Sequence, residues 1–328
     1  MILKIIERHG VFHLRPQVVR VVRVYDFKVP SGITTTSFTQ KGGILVGTGS
    51  GTFVEFPPGS NGKALVYDST QPAGVNALTL ESTFPPGHRN GLTIANNATD
   101  PTNDIDVGTG TARNDTDVVN MRLTSAMTKR LDAAWVAGNG NGGLDTGSKT
   151  NSTWYHIFLI AKGDGTVDWL FSTNATSPTM PTGYIYKRWI WSVYVDSGGT
   201  IRLFKHNGRR CVWKTPVLDV DVTNVSTTRG NHTIQVPPGE AVWFVCNTRM
   251  SHASSHAQIY LSNPNLTDSA PSLTAAPLST PSNDYGGVNG HGMEYSGWTD
   301  ASSQISSRAN DTSTTLKLSV REWEDSRY

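Results

Sequence analysis

The sequence predicts an all-β fold, an antiparallel β-sandwich with a small N-terminal strand-and-turn attachment and connector region. Three observations lead there. Turn formers are plentiful, with 32 Gly and 17 Pro, and charged residues make up only 16%, so the material for long amphipathic helices is scarce. Apolar residues alternate with polar ones over short runs, the period of a half-buried strand. Two-residue turn signals separate those runs, above all Asn207-Gly208, where both positions tolerate positive φ.

In chain order, residues 1–29 mix apolar and basic side chains. Ile2, Leu3, Ile5 and Ile6 lead to Val18, Val19, Val21, Val22 and Tyr25, with a break near Arg15-Pro16. Two short strands are expected, and so apolar a terminus calls for a cover, from its own domain or from a partner. Residues 30–78 turn Gly- and Pro-rich, with short strands at 43–46 and 63–68. The GTGSG phrase at 47–51 is no phosphate loop, because it has no lysine and no helix follows it. Asp104-Ile105-Asp106 beside Asn103 brings carboxylates together, but a calcium loop needs a distal bidentate Glu that is missing here. A polar loop is expected there instead. One helix is expected over 125–137. Ser125 would cap it, Met127, Leu131 and Trp135 fall four apart, and Gly138 would end it.

Residues 151–222 hold five of the nine tryptophans and the clearest strand signals. Tyr155, Ile157 and Leu159 alternate with Trp154, Phe158 and Ile160, which predicts a strand covered on both faces. A turn at 162–165 leads to a return strand through Val167, Trp169 and Phe171. Runs at 184–195, 200–206 and 209–213 complete an expected antiparallel meander. Further on, 233–236 and 241–247 flank Pro237-Pro238-Gly239-Glu240 as an expected hairpin. Strands follow at 258–262 and 314–320. Between those two, 263–312 reads as a long irregular segment, a functional loop or one covered by a partner.

Charge and cysteine content narrow the function. The net charge of +2 offers no bulk attraction for nucleic acid. Cys211 and Cys246 make no disulfide framework and read as small buried hydrophobes. No apolar run reaches the ~20 residues of a membrane span, so no membrane insertion is expected. The start, MILKIIERHG, has neither the apolar core nor the cleavage site of a signal peptide. Synthesis in a cytoplasm and release by lysis are expected.

Two sets of motifs carry a resemblance. Gly42-Gly43-Ile44-Leu45-Val46-Gly47, then Pro58-Gly59-Ser60-Asn61-Gly62-Lys63-Ala64-Leu65, then Asp68-Ser69 through Gly74 resemble, in order, the launch-pad segment of bacteriophage tail-fibre and tail-tip proteins. NNATDPTNDIDVGTG (96–110), GNGNGGLDTG (138–147), TWYHIFLI (153–160), YLSNPNLTDSAPS (260–272) and TTLKLSVREWEDSRY (314–328) resemble a recurrent tail-fibre domain of double-stranded DNA phages, covering roughly 90–328. The resemblance implies a non-enzymatic structural virion protein of the tail or fibre, located in the virion and contributing to host attachment. The organisation expected is a virion-attachment segment (1–29), a launch-pad-like connector (30–78) and a β-sandwich tail-fibre-type domain (79–328). The expected partners are other virion proteins through 1–29, further copies of the chain in a homotrimer, and a host surface glycan. No cofactor is expected. The alternatives are an architectural adaptor or capsid-surface fibre without a host ligand, and a glycan-cleaving tailspike.

Residue type and spacing define the candidate sites. A glycan-cleaving pair of carboxylates could be sought at Asp164 with Asp168 or at Asp219 with Asp221, but turns and strand edges account for both pairs. His252 and His256 are spaced for a metal on a helix, whereas their surroundings read as two strands joined by a turn. No catalytic or metal residue is therefore assigned. Trp189 and Trp191, two apart, should share a buried face. Tyr285, Tyr295 and Trp298 lie in loop-like composition and are the candidate ligand-binding aromatics, either stacking on sugar rings or sealing the loop down. Arg209 and Arg210, with Lys205 and His206, straddle the Asn207-Gly208 tip. Such a cluster guards a sheet edge or meets surface phosphates.

Overall fold

The computed structural model describes residues 44–49, 52–56, 63–67, 75–79, 84–252, 257–272, 282–283 and 291–327. The segment expected to dock the virion, 1–29, lies outside the described residues. The chain divides into two units, Met1–Leu80 and Glu81–Tyr328. In the first, β1 (Ile44–Gly49) pairs antiparallel with β2 (Thr52–Phe56), and β3 (Lys63–Tyr67) with β4 (Val75–Thr79).

The second unit continues with β5 (Arg89–Gly91), β6 (Ile94–Asn96), β7 (Asp104–Val107), β8 (Gly110–Arg113), β9 (Asn120–Leu123), β10 (Met127–Ala134), β11 (Asn141–Leu144), β12 (Thr153–Lys162), β13 (Val167–Ser172) and β14 (Tyr184–Val195). Then come β15 (Phe204–Asn207), β16 (Arg210–Trp213), β17 (Val220–Val222), β18 (Gly230–Thr233) and β19 (Val242–His252). Last are β20 (Ala257–Ser262), β21 (Ser282–Asn283), β22 (His291–Trp298), β23 (Gln304–Ala309) and β24 (Thr314–Asp325). No helix occurs among the described residues, so the all-β class holds. One sheet runs β14-β12-β13-β11-β10-β7-β6. A second runs β15-β16-β24-β19-β22, with β17 also on β24. Smaller sheets are β18-β23-β20-β21 and β5-β8-β9. Pairing is antiparallel except where β11 meets β10 and β13, which are parallel ladders. Side chains from the two larger sheets, such as Trp191 and Trp323, meet Ile259 of β20 and Val236 of a connecting segment in one continuous core.

Several local expectations are corrected. The helix expected over 125–137 is the strand β10, because Lys129 and Leu131 are buried and alternate with exposed Arg130 and Asp132. Its backbone bonds go to β7 and β11. An inward lysine does not fit a helix reading, but here Lys129 Nζ sits 3.0 Å from the equally buried Asp168 carboxylate. Asp104-Ile105-Asp106-Val107 is likewise a strand rather than a loop, with Ile105 and Val107 buried. The meander is not one. Strand β14 pairs with β12 instead of β13, and the chain then leaves the sheet, since β15 and β16 belong to the second one. No hairpin spans 237–240, because β18 pairs with β23 while β19 lies between β24 and β22. The segment 263–312 contains β22 and β23.

Strand β12 is covered on both faces as its sequence requires. Tyr155, Ile157 and Leu159 enter the main core, and Phe158 and Ile160 form a second cluster with Leu170, Tyr184 and Trp189. Trp154 departs from the expectation and packs on the main core, 6.0 Å from the Trp213 and Trp323 rings. Trp189 and Trp191 do not share a face either. Ile157 pairs with Trp191 and Phe158 with Trp189, so Ile190 is an extra residue in β14. Such a bulge breaks the two-residue alternation, and Trp189 joins the second cluster while Trp191 joins the main core.

Candidate ligand-binding cleft

The site is built where the edge of the second sheet meets β20. Strand β22 is that edge, paired along its length with β19 from Trp243↔Trp298 to Met250↔His291. Along it Glu294, Ser296 and Trp298 are exposed, while Tyr295 and Gly297 are half-buried and Thr299 is buried. The inward Tyr295 ring lies 5.9 Å from Phe244, and its hydroxyl donates to the Leu261 carbonyl at 3.2 Å. Burial, with the Cys246 thiol beside it, pushes the Tyr295 phenol up to about 12, so it remains a donor. Trp298 keeps 45% of its surface exposed. Its ring is braced edge-on by Trp243, with centroids 5.5 Å apart and planes at 66°.

The opposite wall comes from the end of β20 and the turn after it. Asn263 organises that turn. Its side-chain oxygen accepts from Asn265 N at 2.8 Å, and Leu266 N donates to its carbonyl at 3.0 Å. Its amide nitrogen reaches across and donates to Trp298 O at 3.1 Å and Thr299 O at 2.9 Å. Behind the turn, Arg229 donates to Pro264 O, Ser262 Oγ and Asn263 O at 3.1–3.3 Å. The turn is thus tied to both sheets before any ligand arrives.

Between these walls lies a cleft of about 610 Å³, into which Tyr260, Asn265, Leu266, Tyr295, Gly297 and Trp298 open. Every described residue that lines it is uncharged. Gly297 leaves room for the ring beside it, because a Cβ at that position would stand 3.0 Å from the Tyr295 hydroxyl and the hydroxyl would have to shift by a few tenths of an ångström. Three aromatic rings, the Leu266 side chain and uncharged polar groups can bind a ligand with flat apolar faces and hydroxyl edges.

Of the residues singled out from sequence, Tyr295 and Trp298 come together here, on a strand rather than on the expected loop. Tyr285 lies outside the described residues. Arg209 and Arg210 are not brought to the cleft. Arg209 pairs with Glu324 at 3.1 Å, and Arg210 with Glu324 at 3.6 Å and Glu322 at 3.8 Å. Acidic residues of β24 thus balance the expected basic tip, because β16 pairs with β24. The carboxylates weighed for catalysis have other work. Asp164 caps its turn through Thr166 N, Asp168 holds Lys129, Asp219 accepts from Val320 N and Gln235 N, and Asp221 pairs with Lys317. His252 sits 3.2 Å from Asp311, and His256 lies outside the described residues. Among the described residues no group of His, Cys, Asp or Glu could hold a metal ion. Sequence reading missed Tyr260, Asn265 and Leu266, although Asn263-Pro264-Asn265 is itself a turn signal.

A second cleft, of about 600 Å³, is bordered by Tyr194, Arg202, Leu203, Val217 and Gln235. Its one guanidinium is already engaged. Arg202 bonds Gln235 and the Thr215 carbonyl and stacks on Trp213 at 4.3 Å.

No protein-family model matches the chain, and no curated protein matches it. The likeness to phage tail-fibre proteins therefore rests on the motifs alone.

Proposed function

We propose that the chain is a structural component of a bacteriophage virion, a tail or fibre protein, whose large β unit contributes to host attachment by binding a surface glycan. The observation that carries the binding part is the cleft in which exposed Trp298 faces uncharged polar groups. A pyranose ring has an apolar face that stacks on an indole and hydroxyls that suit amides and phenols. The cleft is shallow, so each copy binds weakly, and several copies on one particle supply avidity. Among the described residues no carboxylate lines it, which supports binding over cleavage.

The test is adsorption of the labelled full chain to host cells. Trp298→Ala should abolish it while lowering the melting temperature only slightly, because nearly half of the side chain is exposed and the loss is mainly its edge-on contact with Trp243. Unchanged adsorption sinks the glycan reading. For the virion part, antibodies against the chain should decorate the tails or fibres of intact particles. Label found only away from particles overturns that assignment.

A purely architectural role is the second reading. Leu203, Val217 and Leu218 are exposed at 40%, 41% and 50%, and a neighbouring virion subunit is the natural cover for such side chains. Adsorption that survives Trp298→Ala and fails only when particles lack the chain would favour it.

A further inference from the structure

Resting on the sugar-binding reading of the cleft, we infer that its ligand is a neutral sugar bearing a methyl group, a 6-deoxyhexose or an N-acetylated amino sugar, rather than an acidic or plain hexose. Three features of the site point there.

The first is charge. Among the described residues those lining the cleft carry none, and the nearby charged side chains are paired. Arg229 and Arg308 share Asp268 behind the turn, at 3.9 and 2.9 Å. Arg321 pairs with Glu294 at 2.7 Å on the outer side of β22. A uronate or sialate carboxylate would lose water here without gaining a counter-ion, which disfavours it strongly.

The second is the number of apolar surfaces. One sugar face needs one ring, and Trp298 supplies it. Leu266 stands in the same cleft with 55% of its surface exposed. It offers a separate aliphatic contact that a hydroxymethyl group fills poorly and a methyl group fills well. The third is the polar inventory. The Tyr260 hydroxyl and the Asn265 carboxamide line the cleft and make no hydrogen bond among the described residues. They can meet ring hydroxyls, or the carbonyl of an acetamido group, without breaking an existing bond.

Saturation-transfer NMR and calorimetry on the full chain test this with four probes: a rhamnose oligosaccharide, an N-acetylglucosamine oligosaccharide, maltotriose and a galacturonate trimer. The expected result is transfer to the methyl protons of the rhamnose or the N-acetylglucosamine probe, and whichever binds identifies the source of the methyl. That probe should bind about fourfold or more tighter than maltotriose, the worth of one buried methyl group. Leu266→Ala should erase the preference while leaving residual binding that Trp298→Ala removes. Equal affinity for maltotriose, or binding of the galacturonate trimer, overturns the inference but leaves a sugar site. If no probe shows transfer sensitive to Trp298→Ala, the sugar reading falls with it.

Discussion

Lys129 and Asp168 form the most demanding interaction in the protein at the residue scale. Both are buried, and each is saturated. The ammonium also donates to the Val136 and Gly138 carbonyls at 2.7 and 3.2 Å, and the carboxylate accepts from Gly138 N and Trp169 N at 2.8 and 2.6 Å. Burial pulls the Lys129 pKa down and the Asp168 charge pulls it back up. Removing one partner leaves a buried charge alone, so Lys129→Met should destabilise by roughly 3–5 kcal/mol. The double variant with Asp168→Asn should recover much of that. Urea unfolding measures both, and equal losses in the single and double variants would show that the pair is not coupled. Histidines set the acid response. Burial, with Arg327 near one and Arg89 near the other, lowers His156 to about 3 and His206 to about 4, from 6.5. Burial also lowers His232. The unfolded chain then binds more protons below pH 6.5, so their contribution to stability is complete above that pH and is lost as pH falls toward 4. Asp104 and Asp219, raised by burial, act oppositely within the carboxylate range. His206 accepts from Ile94 N at 3.0 Å and so joins the edges of two sheets. Melting should drop from pH 7 to pH 4.5, and less so in His206→Asn. An identical drop in that variant would remove His206 from the account.

Strand β11 shows at the element scale why the large sheet needs glycine. It is wedged between β10 and β13 in two parallel ladders. A Cβ at Gly142 would land on Ala134 O, and one at Gly143 would stand 2.9 Å from the Phe171 ring. Backbone cannot yield as a side-chain tip can. Gly142→Ala should therefore cost about 1–3 kcal/mol or more, read as a lower denaturation midpoint. A midpoint equal to that of the unaltered chain would mean β11 sits further from β10. Strand β22 is less crowded at Gly292, where a Cβ would meet nothing nearer than Thr248 O at 3.7 Å. Tyr295→Phe removes one half-buried bond to Leu261 O and should cost about 1 kcal/mol, with weaker ligand binding as the cleft wall loosens. Binding that is unchanged at that cost would place the wall's rigidity in Asn263 instead. The β22 segment reads as a loop because its residues His291, Gly292, Ser296 and Gly297 have little strand preference. Pairing with β19 from Trp243 to Met250 overrides that.

Assembly is the prediction that belongs to the whole molecule. Leu203, Val217 and Leu218 are exposed on a single copy, and the sequence of 1–29 is rich in apolar residues. A closed homotrimer is the expected arrangement. Light scattering should report three copies, and Leu218→Lys should shift the population toward monomer. A monodisperse monomer of the unaltered chain at working concentration would count against it. A chain that starts near Thr79 should fold but fail to join particles, and its incorporation would rule out docking through 1–29.

Composition and period alone determined the all-β class. They also placed the strands 154–161 and 184–195, because those signals are local, and put the hairpin turn one residue early: Asn207 pairs with Arg210, so the turn residues are Gly208, at positive φ, and Arg209. A strand's alternation, a turn's positive φ and a run apolar on both faces are each written within a few residues. The remainder depended on pairing across long stretches of chain. Whether β14 joins β13 or β12, whether Lys129 finds Asp168, and whether Arg210 faces solvent or Glu322 follow from neighbours far away in sequence. A single bulge at Ile190 separated Trp189 from Trp191. The cleft is the same kind of fact. Trp298 and Tyr295 were visible as aromatics, but Tyr260, Asn265 and Leu266 became their neighbours only when β20 and β22 met at the edge of two sheets. A binding surface belongs to the tertiary structure, because residues some 30 positions apart must converge before any of them can share a ligand.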